Sequence, residues 1–160
     1  MRWIWIDKFT EFESRRSATA VKCVSLAEEH LHDLYPAFPV VPHSLIVEGM
    51  AQTAGILVGE ARNFSEKVIL AKIGRATFHR LVRPGDTITY RADIDQLNEH
   101  GASIRGTVKV GDEPVADIEL MFSHIDQNMS GLKFPEHNFV FTEQFTELLK
   151  AYRVGSPVVI

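Results

Sequence analysis

The fold is decided by one proline-free stretch, HSLIVEGMAQTAGILVGEAR, which covers residues 43–62. Good helix formers are interleaved there with glycine and alanine, so the pattern predicts one long helix that begins at His43 or Ser44 and ends near Arg62. Its apolar residues lie on nearly all sides, which is typical of a buried helix. The small residues allow a sheet to approach closely. We therefore expect a central helix that the rest of the domain surrounds.

Strand-like runs flank this helix on both sides. Residues 3–12 and 17–24 are rich in β-branched and aromatic residues and predict a hairpin, and residues 26–32 predict a short helix. After the long helix, five runs predict strands at residues 68–73, 76–82, 87–97, 102–110 and 115–124, with turn signals at residues 83–86, 99–101 and 111–112. The sum is an α+β architecture in which an antiparallel sheet wraps around one long central helix.

Size and composition limit the classes of protein that fit. A chain of 160 residues, 45% of them hydrophobic, predicts a globular core, and we expect one domain over residues 1–126. Residues 142–152 predict a short amphipathic helix within an extension, residues 127–160, that packs on this domain. The net charge of −4 leaves no excess of basic residues for a nucleic acid.

The expected compartment follows from cysteine usage and hydropathy. Cys23 is the only cysteine, so no intramolecular disulfide can form, as is usual in a reducing compartment. The start of the chain has no export signal, and no apolar run reaches the length that spans a membrane. We expect a cytoplasmic protein without a membrane partner.

A specific motif overlaps the start of the long helix. The segment PVVPHSLIVEGMAQ, residues 39–52, resembles the helix-start motif of the β-hydroxyacyl-acyl-carrier-protein dehydratases, whose usual form is Pro-x-x-Pro-Gly-x-Leu-x-x-Glu-Ala-Met-Ala-Gln. VRPGD at 82–86 matches that family's strand-ending turn, and IDKFTEF at 6–12 resembles its first strand. The similarity covers roughly residues 3–125.

This resemblance implies a hot-dog fold and an acyl-thioester substrate carried by acyl carrier protein or coenzyme A. It implies no cofactor. It also implies a homodimer whose two sheets join edge to edge, with the larger assembly, such as a trimer of dimers, left open. In such a dimer one subunit supplies a catalytic histidine and the other supplies the acid.

Three positions depart from the family pattern where that family does its chemistry. The family's His-Phe-Pro-Gly aligns with Leu34-Tyr35-Pro36-Ala37, so the usual catalytic histidine is Leu34 and a glycine is Ala37. At the helix start, His43 replaces another glycine. Leu34 can neither accept nor donate a proton, and loss of a general base typically lowers the rate by about a hundredfold to ten-thousandfold.

The helix still carries groups suited to the reaction. Dehydration of a 3-hydroxyacyl thioester requires a base, an acid and polarisation of the carbonyl. A carboxyl group inside an apolar helix must be hydrogen-bonded or protonated, and a protonated Glu48 can act as the acid. Gln52 lies four residues later on the same face and can orient Glu48. Backbone N–H groups around His43 and Ser44 are suited to hold the thioester oxygen.

The base has two candidate replacements, His32 and His43, of which we favour His43 because it stands at the helix start. The other interpretation is that His43 only supports the loop. We predict further that the substrate contacts Leu34, Tyr35, Pro36, Ser44 and Phe78. His30-x-His32-Asp33 lacks the remaining ligands of a metal site, so no metal is predicted.

Three functions remain open from the sequence. The first is a dehydratase with Glu48 as acid and a displaced histidine as base. The second is a non-catalytic relative that keeps the acyl pocket or only the dimeric scaffold, with Glu48 and Gln52 as a hydrogen-bonded polar pair at a subunit contact. The third is a thioesterase that uses the helix carboxylate to activate water.

Overall fold

The computed structural model describes residues 4–125 and 143–153. The chain forms six strands and three helices within these ranges. In chain order they are β1 (Lys8–Glu13), β2 (Ser17–Cys23), α1 (Glu29–Asp33), α2 (His43–Glu60), β3 (Val68–Phe78), β4 (Thr87–Leu97), β5 (Gly101–Val110), β6 (Glu113–His124) and α3 (Glu143–Arg153).

Helix α2 is the buried centre of the domain, as the sequence predicts. Every residue from Gly49 to Glu60 is buried, because the helix contacts five of the six strands. The helix begins directly after Pro42 and ends before the predicted Arg62. It ends there because Asn63 and Phe64 adopt positive φ angles, and the Phe64 N–H donates to the carbonyl of Gly59 at 2.8 Å.

The strands form one antiparallel sheet in the order β1-β2-β4-β5-β6-β3. The α+β hot-dog fold is confirmed, because this sheet wraps around α2 and packs its inner face on the helix. Strands β4, β5 and β6 lie close to their predicted bounds. Two strands, β1 and β3, form the edges of the sheet.

The two strands predicted at residues 68–73 and 76–82 are one strand, β3. The predicted break, residues 74–75, coincides with a β-bulge between Ile73 and Arg75, and a second register shift lies between Leu70 and Lys72. A bulge bends a strand without ending it, so pairing with β6 continues to Phe78. This prediction of two strands was wrong.

Two N-terminal elements, β1 and α1, start later than predicted, whereas β2 begins at Ser17 as predicted. Strand β1 begins at Lys8, since the preceding residues cross to α2, where the Trp5 N–H donates to Gln52. Helix α1 begins at Glu29, because a turn held by Ser25 occupies residues 26–28. No helix in the described ranges is long and apolar enough to cross a membrane.

Helix α3 lies close to its predicted range and packs on β1. Its Leu149 is buried, and the Phe12 N–H of β1 donates to the Tyr152 hydroxyl at 3.1 Å. The rest of the predicted extension, residues 127–142 and 154–160, lies outside the described residues.

Candidate active site

Glu48 lies in the second turn of α2 and is half-buried. The Gln52 Nε2 donates a hydrogen bond of 2.8 Å to the Glu48 Oε1, as the helical spacing predicts. The Trp5 N–H donates to the Gln52 Oε1, also at 2.8 Å. Because a backbone N–H can only donate, this contact fixes the Gln52 amide with its NH₂ group toward Glu48.

Glu48 and Gln52 line a cavity of about 310 Å³. Its walls come from α2, from the first residues of β3, and from one aromatic side chain each of β6 and α3. Apart from Glu48 and Gln52, the lining is apolar: Ala51, Gly55, Ile56, Val68, Ile69, Leu70, Phe122 and Phe145. An apolar cavity with few convergent polar groups is the usual form of a small-molecule site.

His43 and Ser44 occupy the exposed first turn of α2. The imidazole of His43 stacks on the ring of Phe78 at the end of β3, with centroids 3.9 Å apart and an interplanar angle of 2°. His43 also lines a second hollow of about 260 Å³, which it shares with Tyr35. The structure thus brings Tyr35, His43 and Phe78 to one place.

The loop before α2 carries several large apolar side chains that are exposed to solvent. The exposed fractions of Leu34, Tyr35 and Phe38 are 53%, 56% and 47%, and Pro36 is also exposed. The Arg83 guanidinium lies over the Phe38 ring, 4.2 Å from its centroid. Within one chain, neither this loop nor His43 lines the Glu48 cavity. The predicted site residues therefore form two groups. Glu48 and Gln52 lie at the cavity, and the others lie in the loop before α2, in the first turn of α2 and at the end of β3.

Comparison with known proteins identifies the family. The sequence profile of the FabA-like domain matches residues 3–119. The chain belongs to the FabA-like family. A 3-hydroxyacyl-[acyl-carrier-protein] dehydratase FabZ from Caldanaerobacter subterraneus is 35% identical over 121 residues, which are 75% of this chain and 86% of the relative. The corresponding FabZ from Clostridioides difficile is 32% identical over 126 residues, 78% of this chain and 89% of that one.

Solved structures share the fold of this FabA-like chain. A dehydratase heterocomplex from Xenorhabdus doucetiae matches with a TM-score of 0.62 at 14% identity, over 76% of this chain and 83% of the other. A thioesterase from Haemophilus influenzae matches with a TM-score of 0.59 at 16% identity, over 72% and 75% of the two chains. At these identities the likeness concerns the fold alone.

The histidines of α1 point in different directions in this FabA-like domain. His32 is exposed, whereas His30 is half-buried and meets the Trp5 ring edge to face, with centroids 5.1 Å apart. Burial lowers the pKa of His30, and the charge of Lys22 acts in the same direction, although Glu28 opposes both. Neither histidine lines the Glu48 cavity.

Two residues that the sequence analysis did not single out, Trp5 and Phe145, contribute to the Glu48 site. Trp5 acts through its backbone N–H, which carries no sequence signal. Phe122 continues the alternating inward pattern of β6, which predicts a residue of the core or of a cavity wall. Phe145 lies on the apolar stripe of α3, which predicts a docked helix without showing where it docks.

Proposed function

We propose that this FabA-like protein dehydrates 3-hydroxyacyl thioesters carried by acyl carrier protein or coenzyme A, with Glu48 as the acid. The observation that carries the proposal is the pair of Glu48 and Gln52, held by Trp5 at the wall of an apolar cavity. The names of the FabZ relatives support the reaction class.

The reaction removes a proton from C2 and the hydroxyl group from C3, and it forms a C2=C3 double bond. Glu48 donates its proton to the departing hydroxyl, which leaves as water. Gln52 donates to Oε1, so the proton of the acid is assigned to Oε2. Backbone N–H groups in the first turn of α2, around His43 and Ser44, polarise the thioester carbonyl.

The proposed base is His43, supplied across a homodimer. Strand β3 pairs only with β6 in the described sheet, so its other edge offers backbone groups to a second copy. Antiparallel pairing of two β3 strands centred on Ile73 would place Val68, at the Glu48 cavity, opposite Phe78 of the partner subunit. Because His43 stacks on Phe78 within each chain, the His43 of the partner subunit would then approach the cavity. Ile73 is 47% exposed in the single chain, in keeping with an uncovered interface.

In the proposed dimer the exposed loop side chains Leu34, Tyr35 and Pro36, together with Phe78, would form the remaining wall of the acyl site.

The only cysteine, Cys23, is free and exposed, which supports the cytoplasm as the compartment.

A second candidate function is acyl-thioester binding without catalysis. It is favoured by one observation, that Leu34 occupies the position where the family pattern has histidine. In this case Glu48 and Gln52 would be a polar pair that orients the thioester or stabilises the subunit contact, and dehydration would not occur.

The first test is hydration of an enoyl thioester, followed by loss of its conjugated absorbance. We expect activity in the parent protein and a loss of about a hundredfold to ten-thousandfold in Glu48→Gln and in His43→Gln. His32→Gln is the matched control, because it removes an exposed histidine away from both hollows. An inactive parent combined with an active Leu34→His variant would establish the non-catalytic alternative, and release of free thiol would indicate a thioesterase.

Subunit mixing tests whether the site crosses the dimer. If Glu48 and His43 act across the interface, a hybrid of a Glu48→Gln subunit with a His43→Gln subunit retains one intact site. Random mixing of equal amounts makes half of the dimers hybrids, so we expect recovery of about a quarter of the parental activity. No recovery from verified hybrid dimers would contradict the shared site.

A further inference from the structure

Helix α3 presents one apolar stripe to the domain. Phe145, Leu148, Leu149 and Tyr152 recur at the spacing of a single helical face. Leu149 is 2% exposed, and the other three are partly buried against the core. The exposed residues of α3, such as Lys150, lie on the other face.

Contacts with β1 fasten this helix to the edge of the sheet. The Tyr152 hydroxyl accepts the N–H of Phe12 at 3.1 Å, and the rings of the two residues lie 6.4 Å apart. About two turns toward the start of the helix, the same stripe brings Phe145 to the wall of the Glu48 cavity. Docking of α3 on β1 therefore determines the position of the Phe145 side chain at the cavity wall.

This part of the wall lies outside the region that the family profile matches. The match ends at residue 119, and α3 begins at Glu143. The α2 part of the lining runs from Glu48 to Ile56, a distance of about 12 Å along the helix axis. An acyl chain that enters at Glu48 would run along apolar wall that includes Phe145.

We infer that α3 selects the length of the acyl chain and that Phe145 is the specificity-determining residue. The inference rests on the proposed function, since it takes the Glu48 cavity as the acyl site. Each methylene that the cavity buries tightens binding by about fourfold, and one that meets the Phe145 ring gains nothing or clashes. The ring thus sets the chain length at which affinity stops rising.

Binding of saturated acyl-CoA thioesters of increasing chain length tests this inference without requiring turnover. In the parent protein we expect the dissociation constant to fall by about fourfold per methylene up to a limit and then to level off or rise. Phe145→Ala should move the limit to longer chains, and Phe145→Trp should move it to shorter ones. Lys150→Ala, on the exposed face of α3, is the control and should keep the parental limit.

Opposite shifts in the two variants distinguish selection from loss of structure, because a loosened helix would weaken binding of all chain lengths together. An unchanged limit in both variants, or no binding at any chain length, overturns the inference. Enoyl-thioester hydration by the same preparations tests the proposed function separately. If the two Phe145 variants shift the chain-length limit but no turnover is found, Phe145 remains the selector and the dehydratase proposal is refuted. If turnover is found but the limit is the same in both variants, the dehydratase proposal stands and the role of Phe145 is refuted.

Discussion

Gly49 lies directly against Tyr90 of β4, and its replacement by alanine gives a sharp test of the packing. An added Cβ would lie 2.4 Å from Tyr90 Cζ and 2.5 Å from Tyr90 Oη. Tyr90 is only 1% exposed, so its ring has little room to move away. The family pattern has alanine at this helix position. In this chain, Tyr90 fills the space that such an alanine requires.

The expected magnitude is the difference between two effects. Alanine stabilises a helix interior by about 1 kcal/mol relative to glycine. Forcing an extra carbon into a filled core costs about 1–3 kcal/mol. For Gly49→Ala the second effect should exceed the first, and we expect a net destabilisation of about 1 kcal/mol. In a domain of this size that lowers Tm by about 2–4 °C.

Gly55→Ala is the matched control within the same helix. Its Cβ would lie 3.5 Å from Phe122 Cε1, which is an ordinary contact, so only the gain in helix propensity of about 1 kcal/mol should remain. Urea unfolding of the two variants, of Tyr90→Leu and of Gly49→Ala/Tyr90→Leu measures all the terms, and in the Tyr90→Leu background Gly49→Ala should no longer destabilise the protein. Equal stabilisation by Gly49→Ala and Gly55→Ala would refute the packing argument.

Three further predictions concern polar contacts. Gln52→Glu replaces the amide donor that faces Glu48 by a second carboxyl oxygen, so hydration activity should fall on the order of tenfold or more. Tyr152→Phe removes the acceptor of the Phe12 N–H; we expect faster amide exchange at that residue and a loss of about 1 kcal/mol in unfolding free energy. Burial lowers the pKa of His30, so the unfolded chain binds more protons as the pH falls through 6.5, and stability should decline there more steeply than in His30→Phe.

Each of these has a result that would contradict it. Full activity in Gln52→Glu would mean that the amide does not position the acid. Unchanged exchange in Tyr152→Phe would mean that α3 is not held at this contact in solution. Parallel pH profiles for the parent and His30→Phe would show that the lowered pKa of His30 contributes nothing to stability.

Local sequence signals predicted the central helix, most of the strands and one side-chain contact, the bond between Gln52 and Glu48. The absence of proline after Pro42 and the all-round apolar pattern located α2, and the four-residue spacing predicted the bond between Gln52 and Glu48. The break expected at residues 74–75 was wrong, because Gly74 lies in a β-bulge of one continuous strand. Spacing within one element is visible in a sequence, whereas the effect of a bulge depends on the partner strand.

Contacts between distant segments were not predictable in the same way. The Trp5 backbone N–H that fixes Gln52 is chemically identical to any other amide, so the residue type gives no indication of its role. Phe145 was recognisable as part of an apolar stripe, but the surface that receives this stripe is created by β1 and α2 only after folding. The approach of His43 to Glu48 depends on a second chain, which remains a proposal.

The bond between Phe12 and Tyr152 joins residues 140 positions apart, which constrains how the protein is made. During synthesis the sheet and α2 can form while residues 143–153 are still inside the ribosome, but the wall that includes Phe145 cannot. The nascent domain therefore passes through a stage in which β1 is uncovered and the cavity lies open to solvent. Docking of α3 therefore comes after the hairpins of the sheet have formed. Chaperones that bind exposed strand edges would have their opportunity during this interval.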